Sequence, residues 1–155
     1  RLIGDRTALQ FLIVWSLFES KCFQGFVRIG RIETFSQQLV SEGFNTALIS
    51  PVLSHFHVRY QNKDRYRQLM HGQVCNKMEE LVQRDIGSFG PYDIVFFVTL
   101  VAYRYRNNMF HGNKGVASWL QYKDQIALCT SAMEQFISHT EALRPTLPER
   151  VTVHG

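Results

Sequence analysis

The chain carries little with which to bind a metal or cross-link itself. Its three cysteines, Cys22, Cys75 and Cys129, form no C-x-x-C pair and sit among apolar neighbours. An odd number so spaced is expected to remain as buried free thiols in a reducing compartment, not as a disulfide framework or a ligand set. No H-E-x-x-H is present, and no Glu-x-x-His pair of the kind that holds two metals inside a helical bundle. His55 and His57 are two residues apart, which sets them on opposing faces of a helix and argues against a shared metal. P-loop, G-x-G-x-x-G and G-x-S-x-G motifs are missing as well, so no cofactor is expected. No apolar run reaches the roughly 18–20 residues a membrane span needs, because Asp5, Arg6, Gln10 and Glu19 interrupt the best one. No signal-peptide pattern is visible, and a cytoplasmic setting is expected. The chain opens on Arg1, not on methionine, so its natural start is expected to lie upstream or to have been removed.

What is present is ordinary globular material with a mild excess of cations. Of 155 residues 45% are hydrophobic, and the net charge is +4. That length suits one domain that buries about 68–70% of its unfolded surface. The charge permits a polyanionic partner without demanding one.

Punctuation and periodicity divide the chain into five or six helices, an all-α bundle over residues 1–143 with a mobile tail over 144–155. Asp5 is read as the N-cap of a helix running to about Gln24. Its apolar residues wrap most of the circumference, which places it inside the bundle. Glu19, four residues after Trp15, then falls on a core-directed face. A lone buried carboxylate is costly, so it either pairs with Arg106 or His111 or faces solvent at a helix end. A short helix over 32–41 ends at Gly43. Ser50-Pro51 opens a third helix that is expected to reach His71. On it His55, Arg59, Lys63 and Arg67 recur every four residues, with Tyr60 and Tyr66 nearby. Two readings fit that stripe: a track for an RNA backbone with rings for stacking, or the solvated face of a helix. Another helix spans 76–86, Gly90-Pro91 begins the next, and a last one covers about 117–143 until Arg144-Pro145. Leu120, Ile126, Ala127, Met133, Phe136 and Ile137 mark the core side of that last helix.

The helix after Pro91 organises the rest. Ile94 to Ala102 is almost wholly apolar, then Arg104, Arg106, Asn107, Asn108 and His111 follow within ten residues. Asn107 and His111 share a face if the helix continues. Arg106 and His111 are separated by on the order of 140° on a regular helix, and meet only if the turn loosens at Asn107-Asn108. An imidazole gives and takes protons near neutrality, and a guanidinium grips a phosphate through two hydrogen bonds. A bland reading competes, in which Arg and His complement the dipole and carbonyls of a helix C-terminus.

Arg106-Asn107-x-x-x-His111 resembles the Arg-polar-x(3–5)-His motif of the HEPN superfamily of helical domains, many of them toxins and RNA-cleaving enzymes. The resemblance extends along most of the chain as a pattern of helices, but only those three residues match at the level of the motif. It implies a homodimer whose paired motifs line one cleft and cleave RNA without a metal. His111 would then transfer protons, Arg106 would clamp the phosphate, and Asn107 would orient one or the other. Arg104, Lys114 and Glu19 would support them, and Arg59, Lys63 and Arg67 would hold the RNA strand. An antitoxin or other regulatory protein would be the natural partner of such an enzyme. Some HEPN toxins carry a tyrosine two residues after the motif histidine, where a partner enzyme attaches a nucleotide. Asn113 stands there in this chain, which argues against that mode of control. A non-catalytic HEPN module that binds RNA or nucleotides, or dimerises a larger protein, is the alternative, and a helical adaptor a third.

Overall fold

The computed structural model describes the backbone of residues 2–111 and 121–144, and side chains over 6–110 and 121–144. Seven α-helices account for most of that backbone, with no strand among the described residues. They are α1 (Leu2–Phe18), α2 (Ile29–Ser41), α3 (Ser50–Arg59), α4 (Lys63–Met70), α5 (Asn76–Gln83), α6 (Pro91–His111) and α7 (Lys123–Leu143). The all-α reading of the sequence holds.

α6 is the axle. It touches α2, α3, α4, α5 and α7, while α1 packs along α7. Val95 to Ala102 are all buried, as an apolar run without polar alternation requires. The other half of the core is aromatic. Phe18 of α1 meets Trp15, Phe23, Phe35 and Phe136 at ring separations of 5.6, 5.1, 5.5 and 5.9 Å, tying α1, α2 and α7 together. The pairs with Phe23 and Phe35 are edge-to-face, as is Phe35 on Phe136, the arrangement favoured by the ring quadrupole.

Several expectations are corrected here. α1 begins at Leu2, so Asp5 lies within its first turns and is not an N-cap. Its outer face is bare: Leu9, Ile13 and Leu17 are 58%, 54% and 42% exposed, so α1 lies on the surface of the bundle. The helix ends in a π-turn, Glu19–Phe23, closed by Gln24 at φ 52°. α5 stops at Gln83, short of Ile86. Ala127 faces solvent, because the core side of α7 is carried by Ile126, Cys129, Met133 and Phe136. Leu120 and the expected start of that helix lie outside the described residues, as does the tail beyond Arg144.

The largest correction concerns the third helix, which is two helices. α3 ends at Arg59, and Asn62 starts α4 by accepting the Arg65 N–H at 3.0 Å through its side chain. Asn62 is a strong N-cap, and Asp64 in the first turn complements the dipole. Tyr60, buried at the break, donates its hydroxyl to Tyr105 at 3.0 Å. The four-residue basic spacing is real, but the stripe is broken: His55 and Arg59 belong to α3, Lys63 and Arg67 to α4.

Candidate functional site

The last two turns of α6 carry the residues of interest, and they divide by face. Arg104 points inward and is 5% exposed. Its Nε donates to the Leu69 carbonyl at 3.1 Å, and its Nη2 donates to Asn108 Oδ1 at 3.1 Å. Asn108 Nδ2 donates in turn to Leu69 O at 3.1 Å and reaches Gln68 O at 3.5 Å. The two side chains, one helical turn apart, thus occupy the carbonyls that end α4. The chain leaves α4 there through His71 at φ 47° and Gly72 at φ 82°. Burial lowers the pKa of Arg104 from its ordinary value, yet a guanidinium remains charged throughout the physiological range. Arg104 therefore clamps α4 onto α6, a structural duty that spacing alone did not distinguish from a supporting role at the site.

Arg106, roughly 200° further round the helix, has a different environment. Its guanidinium carbon sits 4.5 Å from the centre of the Phe110 ring, and Nη1 donates to Asn107 Oδ1 at 3.4 Å. Nε is enclosed and makes no hydrogen bond. No ion pair reaches Arg106 among the described residues. A cation on an aromatic face, with donors left over and no carboxylate, suits an incoming anion. Phe110, 57% exposed, was not singled out from the sequence, although its i+4 spacing from Arg106 was visible.

α6 stays α-helical through Asn107, Asn108 and His111. The loosening expected at Asn107-Asn108 is absent from the backbone, which stays regular to His111. The His111 side chain and all of Lys114 lie outside the described residues.

Glu19 does not reach Arg106. Its Oε2 accepts the Val27 N–H at 3.3 Å, closing the loop after the π-turn, and it makes no ion pair among the described residues. The carboxylate is half-buried because it serves a backbone donor.

Behind α6 lies a polar layer that the sequence reading missed. Arg59 stacks 5.8 Å from the Tyr122 ring, and the nearby Tyr105 hydroxyl receives the Tyr60 hydrogen bond. Burial pushes the Tyr60 and Tyr105 phenols upward, so both stay neutral. Gln125 meets His55 Nε2 at 3.0 Å. Burial first and Arg59 second lower the His55 pKa, which suits a neutral ring accepting the amide hydrogen. His57 Nε2 donates to the Arg84 carbonyl at 3.0 Å. His139 Nε2 lies 3.1 Å from Glu42 Oε1. Lys63 and Arg67 stand apart from all of this, on the wall of a cleft of about 310 Å³ between α4 and α5.

No group of three or more His, Cys, Asp or Glu could hold a metal among the described residues, and no helix there is long and apolar enough to cross a membrane. In comparison with known proteins, no family model, no curated protein and no solved structure matches this chain.

Proposed function

We propose that this chain is a metal-independent endoribonuclease of the HEPN type, acting as a homodimer, in the manner of a toxin or defence protein restrained by a regulatory partner. The observation that carries the reading is the Arg106 guanidinium, supported by Phe110 and Asn107, carrying spare donors and no carboxylate, near the end of a rigid buried helix. In this reading Arg106 holds the scissile phosphate and offsets charge growing on its oxygens. His111 takes the proton from a ribose 2′-hydroxyl as its oxygen attacks the adjacent phosphorus. The P–O5′ bond breaks, the 5′-oxygen is protonated on leaving, and a 2′,3′-cyclic phosphate results. Both a base and an acid are required. Positions five apart on a regular helix are separated by on the order of 140°, so in this reading a groove shared by two copies assembles the set.

RNA incubated with purified protein in EDTA tests this. Cleavage is expected, and Arg106→Ala and His111→Ala each lower it by about 10²–10³-fold with thermal unfolding unchanged. Excess His111→Ala chain added to wild type suppresses cleavage by forming mixed dimers. Undiminished scission in both variants, or none in the wild type, sinks the proposal.

The regular α6 backbone through His111, with Arg106 resting on Phe110, favours a second reading, a non-catalytic module that binds RNA through Arg106 and Phe110. Tight binding to RNA without scission selects it.

A further inference from the structure

The cleft between α4 and α5 belongs to neither the Arg104 clamp nor the Arg106 face. Lys63, Tyr66 and Arg67 form one wall, and Glu79, Val82 and Gln83 the other. Tyr60 and Gln61 close the end at the α3–α4 break. At about 310 Å³ it falls at the small end of ligand sites.

Each wall has a distinct chemistry. Lys63 is exposed and makes no ion pair among the described residues, while Arg67, one turn on, is held by Asp64. Tyr66 lies half-buried between them, and its hydroxyl is enclosed without a hydrogen-bond partner. Burial pushes that phenol up to about 12, so it stays neutral. Its ring is one of the groups that line the cleft. Gln61 spends its amide N–H on the His57 and Val82 carbonyls, at 3.0 and 2.8 Å, which fixes the end of the cleft. Opposite, Glu79 is exposed and forms no ion pair among the described residues, and a carboxylate accepts from an exocyclic amino group.

The cleft is also mechanically tied to α6. The last carbonyls of α4 are clamped by Arg104 and Asn108. Lys63 to Leu69 spans on the order of 10 Å of helix rise. The helix that forms one wall of the cleft is thus hydrogen-bonded at its end to the cationic turn of α6.

We propose that this cleft seats one nucleotide of an RNA strand whose base bears an exocyclic amino group. The phosphate lies against Lys63 and Arg67, the base on the Tyr66 ring, and the amino group at Glu79. The inference rests on RNA being the ligand of this protein, but not on its being cut.

Hexamers of 2′-O-methyl cytidine and uridine separate the two questions, because a blocked 2′-oxygen prevents the scission described above. Their binding is followed by fluorescence anisotropy with the wild-type chain, and unmodified RNA is assayed for cleavage with the same preparation. The cytidine hexamer is expected to bind about fivefold more tightly than the uridine one. Lys63→Ala weakens both and lowers the salt slope by roughly 0.7. Tyr66→Leu weakens both about tenfold. Glu79→Gln removes the preference for cytidine, and being at an exposed position it reads out even if Tyr66→Leu fails to fold. Arg28→Ala, the same charge change just before α2, leaves binding unaltered. Binding that is equal for the two hexamers, or a cost at Arg28 matching that at Lys63, overturns the assignment, as does the absence of binding. Hexamer binding that follows this pattern while unmodified RNA stays intact upholds the cleft and defeats the nuclease reading alone. Cleavage that ignores the cleft variants does the reverse.

Discussion

The two ends of α6 solve opposite electrostatic problems. At its start, Asp93 is 14% exposed and fully partnered: Lys77 at 2.9 Å, Arg84 at 2.6 Å and the Gly90 N–H at 3.1 Å. Burial alone would raise its pKa, but those three donors outweigh it and hold the carboxyl below its usual value. Lys77 and Arg84 are shifted upward in return, chiefly by Asp93. At the other end Arg104 and Arg106 have no carboxylate among the described residues. Arg104 satisfies itself on backbone carbonyls, and Arg106 rests on an aromatic ring with donors to spare. A closed network builds structure. An open one leaves capacity for a ligand.

That contrast sharpens when each end is broken. Arg104→Ala is expected to give the largest loss of stability, about 2–4 kcal/mol in urea titration, because two charged hydrogen bonds and a buried stem disappear. Asp93→Asn follows at about 1.5–3 kcal/mol. The same variant has a pH signature. A carboxyl whose folded pKa is depressed contributes fully above its unfolded value, about 3.9, and its contribution is lost as pH falls through the lower folded value. Wild type should therefore lose stability below about pH 4, and Asp93→Asn should lose less over the same range. Asn108→Ala should cost about 1 kcal/mol, the worth of an ordinary hydrogen bond. Arg106→Ala should cost least, at most about 1 kcal/mol for an exposed cation–π contact, while having the largest effect on RNA. Were Arg106→Ala to destabilise as much as Arg104→Ala, the division into a structural and a functional arginine would fail.

Much of the architecture was written in local signals. Gly43 and the Gly90-Pro91 step marked helix boundaries because their backbone chemistry admits few alternatives. The run from Ile94 to Ala102 could only lie in the interior. The break between α3 and α4 was obscured because the basic residues keep helical spacing across it, although Asn62-Lys63-Asp64 carried a cap signature. The bare face of α1 was misread since Leu9, Ile13 and Leu17 look like core residues, and only the position of α7 decides which side is covered. At the site, Arg106 and Asn107 were found by motif and lie side by side. Arg104 and Asn108 were not separable from them, because which face of α6 meets α4 is a tertiary fact. Glu19 was left between an ion pair and solvent, and the partner it has is the Val27 amide eight residues on, a contact no periodicity reveals.

The unbroken run of α6 from Pro91 to His111 makes it a lever. With Asp93 anchored between Lys77 and Arg84, a tilt of only 5° there would displace the Arg106 turn, roughly 20 Å along the helix, by about 1.7 Å. Loosening the acidic hinge would thus misalign a distant guanidinium without touching it.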